Sequence, residues 1–289
     1  MRSPAFYFGA SVECWDETAF SSYMPGAGAV SVPANSGFRE VSMGIFDFLG
    51  KKSDQPPRTS LKEVARLERV LSNKLSQNFD RQEAIQELGR MGTAQAAAAL
   101  LKRFDWVLDP SITDQEEKEQ CMHGIVAAGE DALEPIREYC RKAESLTWPL
   151  KVLRAIVQDD GQAADELLSI LDQFDTEYVR NPEPKVQLIQ ALEAYKSDDV
   201  RVAVEPFLTD MSEPVRFTAA TTLFAIDNAA SVPSLLDALA NEESRRVQNR
   251  IAQGFADRGW EIPSELANAV AKALPPGFRV SSGKVQKLG

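Results

Sequence analysis

Histidine is nearly absent from this chain: there is one, His123, in 289 residues. Any catalytic triad or histidine-based metal site would have to be built on that side chain. Cys121 lies two residues away, and on a helix that spacing points the two groups to different faces. Cysteine is scarce as well, at three, with neither a CxxC pair nor a zinc spacing. The reading is that Cys121 and Cys140 are buried small apolar groups and that His123 is a surface or inter-helix residue. Cysteines without a framework fit a reducing compartment, so a cytoplasmic location is expected. No run approaches the roughly 18 apolar residues of a membrane span. Segments alternating apolar with polar residues are scarce, which argues against sheets. Basic charge is in the minority, with 32 Lys and Arg against 43 Asp and Glu, a net charge of −11. Nucleic-acid binding calls for a basic stripe. Here Arg245, Arg246 and Arg250 form only an island beside Glu242 and Glu243. Gly89, Gly92 and Gly161 are placed at helix breaks and do not compose a phosphate-binding loop. Asp159-Asp160-Gly161 has too few acids for a calcium loop. Glu116-Glu117-Lys118-Glu119 reads as a solvated helix face. No catalytic residue, cofactor or metal is expected.

What the chain has is a repeat. A unit with an apolar helical stretch, a break and a second apolar helical stretch recurs six times between Arg81 and Leu274. Marked by the apolar residue near the end of each first helix, the copies fall at Leu88, Ile125, Ile156, Leu192, Leu223 and Phe255, in steps of 37, 31, 36, 31 and 32. Two copies match closely across the turn, Ile125 to Pro135 and Leu223 to Pro233. Pro206 and Pro263 sit at comparable places. A proline is tolerated in the first turn of a helix, so these residues predict the starts of second helices. Pro184 and Pro214 lead into first helices in the same way. Apolar residues at i, i+3 and i+4 give each helix one buried stripe, and stacking copy on copy completes the core.

With Pro214, Val215, Arg216, Ala219, Ala220, Leu223, Val232, Pro233, Leu235, Leu236 and Leu239 quoted, the chain resembles the HEAT-repeat family, in the short bacterial form related to repeats of phycobilisome lyases. Glu83-Ala84-Ile85, Leu88-Gly89, Met91-Gly92 and Val186 to Leu192 extend the likeness. It covers roughly residues 79–274. The resemblance implies an all-α fold, a right-handed α-solenoid of stacked helix pairs (HEAT/armadillo-like), with about six repeats plus an N-terminal cap helix. The third copy departs most, with Trp148-Pro149 at its helix start. The deoxyhypusine hydroxylases share this kind of fold but carry His-Glu pairs, and His123 is followed by Gly124.

The ends differ from the middle. Residues 1–42 are expected to be a disordered or spurious extension, with the natural start at Met43. Residues 43–58 form a short segment and linker, in which Ile45, Phe46, Phe48 and Leu49 before Lys51-Lys52 offer a weak membrane contact against the favoured packing on the first repeat. The cap helix is expected over 59–78, begun by Thr59 or Ser60 with Glu63, and burying Leu61, Val64, Leu67, Val70, Leu71 and Leu75. The repeat domain spans 79–274. Residues 275–289, with Arg279, Lys284 and Lys287, are expected to be a flexible basic tail.

In such solenoids the second helices line the concave side. Their polar positions here include Lys102, Arg103, Arg137, Arg141, Asp165, Glu166, Arg201, Glu205 and Asp237, basic early and acidic later. Arg137, Arg141, Arg201 and Trp148 are the candidate partner-binding residues. Trp106, Trp148 and Trp260 fall near helix ends, where packing on the next repeat is the favoured role. The expected function is a non-enzymatic protein-binding scaffold or adaptor. The alternatives are an auxiliary enzyme subunit like the bilin lyases, or a HEAT-like nucleic-acid-binding enzyme. The partner is expected to be another protein, with nucleic acid and membrane disfavoured. The longer loops around Trp106–Thr113 and Gln173–Pro184 are where partner-specific features are expected.

Overall fold

Thirteen α-helices in the described residues follow one another in two layers. The structure, a computed structural model, describes residues 58–288, with side chains from Leu61 onward. They belong to one compact unit, Gln55–Gly289. The expectations for residues 1–42 and 43–57 lie outside the described residues.

The first helices of six pairs are α2 (Asn78–Met91), α4 (Ser111–Val126), α6 (Thr147–Ile156), α8 (Glu183–Leu192), α10 (Glu213–Ile226) and α12 (Arg245–Arg258). The second helices are α3 (Ala94–Leu101), α5 (Leu133–Cys140), α7 (Asp160–Leu171), α9 (Asp198–Val204), α11 (Val232–Asn241) and α13 (Ala267–Ala273). Each first helix packs on the next first helix. The second-helix layer likewise runs from α3 through α5, α7 and α9 to α11 and α13. The helix α1 (Arg58–Ser72) lies against α2 and α3, so it begins the second-helix layer.

The repeat explains these elements. Five of the six marker residues, Leu88, Ile125, Leu192, Leu223 and Phe255, are fully buried between the layers. Ile156 of the irregular third copy is half-buried. Polar caps start several helices: the side chains of Thr93, Asp159, Ser197 and Ser244 accept the N–H groups of Ala96, Gln162, Val200 and Val247. Three first helices end on a left-handed residue, at Gly92, Asp227 and Gly259. Pro184, Pro214 and Pro233 stand in first turns as the sequence predicts. Pro206 does not open a second helix; it stands in a 3₁₀ turn, Glu205–Thr209, that tightens the end of α9. Gly89 is not at a break. It lies inside α2 opposite Gly124 of α4, where a Cβ on Gly124 would come within 3.1 Å of the Gly89 Cα. The glycine pair lets these two helices approach closely.

Two expectations at the ends are corrected. The cap helix stops at Ser72, and Leu75 is 92% exposed. Asn73 ends the helix by accepting the Leu75 N–H on its side chain, a local bond that competes with helix continuation. The helix also includes Arg58, ahead of the expected cap at Thr59 or Ser60. The basic tail is a β-hairpin: β1 (Phe278–Ser281) pairs antiparallel with β2 (Lys284–Lys287), Val280 opposite Val285. Ser282 and Gly283 both have positive φ, the conformation a two-residue hairpin turn needs. The second strand packs on α12, and Val285 is buried. Thus β2 takes the place that a next first helix would fill, while α13 continues the second layer against α11. Among the described residues no helix is long and apolar enough to cross a membrane.

Candidate protein-interaction face

Buried and half-buried basic residues on the first helices fix the loops between repeats. Lys185 of α8 is almost fully buried; its Nζ donates to the Glu177 carbonyl at 3.0 Å and to Asp210 at 2.8 Å. Arg216 of α10 donates to the Asp210 carbonyl at 2.8 Å and grips Glu242 with two bonds of 2.8 and 2.9 Å. Gln248 of α12 then donates to the Glu242 carbonyl. Each base therefore ties the loop before its own helix to the acid one repeat on. Burial raises the Glu242 carboxyl, but Arg216 and the Ser244 N–H outweigh burial and hold it below the ordinary carboxylate range.

The same device is enlarged at the first two repeats. Arg81 reaches Glu117 at 2.9 Å and the Ser76 carbonyl. Arg103 meets Glu117 at 2.7 Å and Asp114 at 2.8 Å, and Lys118 meets Asp114 at 2.7 Å. Arg103 also lies 3.9 Å from the centre of the Trp106 ring. Burial raises the Asp114 carboxyl, yet Lys118, Arg103 and the Leu108 N–H together hold it below its ordinary value. The predicted solvated charge run is corrected here. Glu116 and Glu119 are exposed, but Glu117 and Lys118 are buried because they face this cluster. Arg103, expected on the surface, is wholly buried for the same reason.

Cys121 and Cys140 are buried, and desolvation pushes their thiols up, that of Cys140 to about 12. His123 points outward from the same helix as Cys121. These three groups do not converge on a reacting site.

The outer face of the second-helix layer is crossed by polar links. Tyr139 of α5 donates to Asp105 at 2.7 Å, and Lys102 pairs with Glu68 of α1. Arg137 bonds Glu166 of α7 at 2.8 Å and also pairs with Glu134. Arg141 donates to Gln173 at 3.0 Å. The structure thus brings Arg137 and Arg141 together on one side of α5, both reaching the α7 repeat. Arg141 is exposed, whereas Arg137 is committed to its two glutamates. Arg201 stands apart on α9, held by Asp198 and Glu205 at 2.6 Å each. Trp148 is half-buried on α6 and stacks on Phe104 at 5.6 Å between centroids, with Lys151 above it. Trp106 is buried, and Trp260 packs on Phe224 and Phe255.

Between these links lie open grooves. The first, of about 550 Å³, is floored by Phe104, Trp106 and Tyr139 and rimmed by charges of both signs, Lys102 and Lys142 with Glu138 and Glu144. The second, of about 710 Å³, lies between α7 and α9 over Phe174 and Phe207, and its charged lining is acidic: Asp172, Asp175 and Asp199. The third, of about 310 Å³, lies between the Glu205–Thr209 turn and α11, with Asp237 and Glu243 at its rim. Sequence pattern alone does not single out the residues of the second groove. The longer loop from Gln173 to Pro184 is the available signal, and it supplies Phe174, Asp175 and Thr176.

No curated protein and no solved structure matches this chain. A family model described as HEAT repeats matches residues 164–256, which run from α7 to α12. With the stacked helix pairs and the recurring base-to-acid ties between loops, that match identifies the stretch 164–256 as HEAT repeats.

Proposed function

We propose that the chain is a non-enzymatic protein-binding scaffold or adaptor that docks its partner on the second-helix layer. The observation that carries this reading is the series of solvent-open grooves along the second-helix layer, with apolar floors that are aromatic in the first two and with charged rims. A buried aromatic floor with a polar rim is the composition of a protein-binding patch. HEAT repeats, matched over residues 164–256, suit the same role. The acids of the second and third grooves would repel a phosphate backbone, so a protein is the favoured partner over nucleic acid. The test is affinity capture from the native cell, followed by titration of the captured protein in purified form. A specific partner should emerge, with affinity weakened by Arg141→Glu at the end of α5 and unchanged by Glu116→Lys on α4. A chain that enriches no protein over the bare resin overturns the proposal.

A further inference from the structure

We propose that the groove between α7 and α9 holds a basic, aliphatic-bearing extended segment of a partner protein. This rests on the scaffold reading and supplies the partner's chemistry. The floor is apolar, made by Leu168, Phe174, Ala203 and Phe207. Its volume of about 710 Å³ lies within the ~300–1,000 Å³ of ligand-holding clefts. The rim is acidic at three points: Asp172 just past the end of α7, Asp175 in the following loop and Asp199 in the first turn of α9. All three side chains are exposed. No lysine or arginine lines the groove. Among the described residues none lies within 4 Å of Asp172 or Asp199. Asp175 is 3.9 Å from Lys185, a base already committed to Asp210. The C-terminal end of α7 adds its partial negative charge at the same rim. A lysine or arginine fits both features at once, with its stem on the aromatic floor and its charge at the carboxylates. An acidic segment would meet only repulsion.

The adjoining groove continues the pattern. Its exposed acids are Asp237 and Glu243, Met211 is 62% exposed, and its one arginine, Arg216, is tied to Glu242. Neighbouring packed helices lie about 8–10 Å apart. An extended chain covers that distance in about three residues. Bases spaced three apart therefore address both grooves.

The test is fluorescence titration of the full chain with three labelled nonapeptides, built from three copies of Arg-Leu-Ser, Arg-Ser-Ser or Glu-Leu-Ser. The Arg-Leu-Ser peptide should bind saturably, more tightly than Arg-Ser-Ser, and Glu-Leu-Ser should not bind. Affinity should fall about tenfold in Asp172→Asn/Asp175→Asn/Asp199→Asn. It should hold in Glu83→Gln/Glu116→Gln/Glu119→Gln, which removes as much charge from α2 and α4. Ala203→Lys, which places a cation in the groove, should give the same loss and serves if the triple groove variant misfolds. Failure of Arg-Leu-Ser to bind, equal binding to the groove variant, equal loss in both triple variants, or equal affinity for Arg-Ser-Ser overturns the inference. A natural partner held equally by wild type and groove variant also overturns it while leaving the scaffold reading intact. Failure to capture any partner strikes the scaffold reading itself.

Discussion

At Gly254 of α12 a hydrogen serves as the side chain because the Phe224 ring occupies the space a methyl would need. A Cβ there would lie 2.4 Å from the ring. Phe224 cannot swing away freely, since it is fully buried and packs on Phe255 and Trp260. Gly254→Ala should therefore lower stability by about 1–3 kcal/mol, read as a shift in the urea midpoint without a change of slope. A midpoint equal to wild type would mean that the aromatic cluster yields. The same scale shows where sequence reasoning stops. Apolar spacing locates Leu88, Leu223 and Phe255 in the core, because burial on a helix leaves a periodic trace. It gives no warning that Glu117 and Lys118 are buried while their neighbours Glu116 and Glu119 are not. What buries them is Arg81 and Arg103 arriving from another helix and a turn, and that juxtaposition has no local pattern.

Among the elements, prolines and caps made most helix starts legible, and the exceptions have physical causes. Pro206 stands in a tightened turn because the last residues of α9 pass into 3₁₀ geometry. The hairpin carried a signal in Val280-Ser281-Ser282-Gly283-Lys284-Val285, which alternates across a turn pair, but its basic charge suggested a loose tail. The groove acids are partly legible: the long loop after α7 is visible in the sequence, yet the arrival of Asp199 from α9 depends on the stacking. Packing of β2 on α12 gives the hairpin a stabilising role. Ending the chain after Pro275 would remove Val285 and uncover α12. The shortened protein should melt several degrees lower and bind more of a hydrophobic dye than the full chain. Unchanged melting and dye binding would mean that the hairpin adds nothing to the stack.

For the whole molecule, the buried ion pairs tie stability to acidity. Asp114 and Glu242, on different repeats, are both held below the ordinary carboxylate range by their ion pairs. Their contribution is complete above the unfolded values near pH 4 and is lost as pH falls through the lowered folded ones. Melting temperature should be level near neutrality and fall on acidification below about pH 4. Asp114→Asn should cost roughly 1–3 kcal/mol at pH 7 and flatten that acid limb. An acid limb equally steep in the variant would assign the dependence to other groups. The layout of the repeats also bears on assembly. Each inner surface of a stacked row is shaped to be covered by the next unit, so an uncovered end is adhesive. Here β2 already occupies the berth beside α12, and the four residues of β1 leave only a short edge that includes the exposed Arg279. The hairpin thus acts as a stopper against growth: another helix pair, or the end of a second molecule, would have to displace it before the row could lengthen.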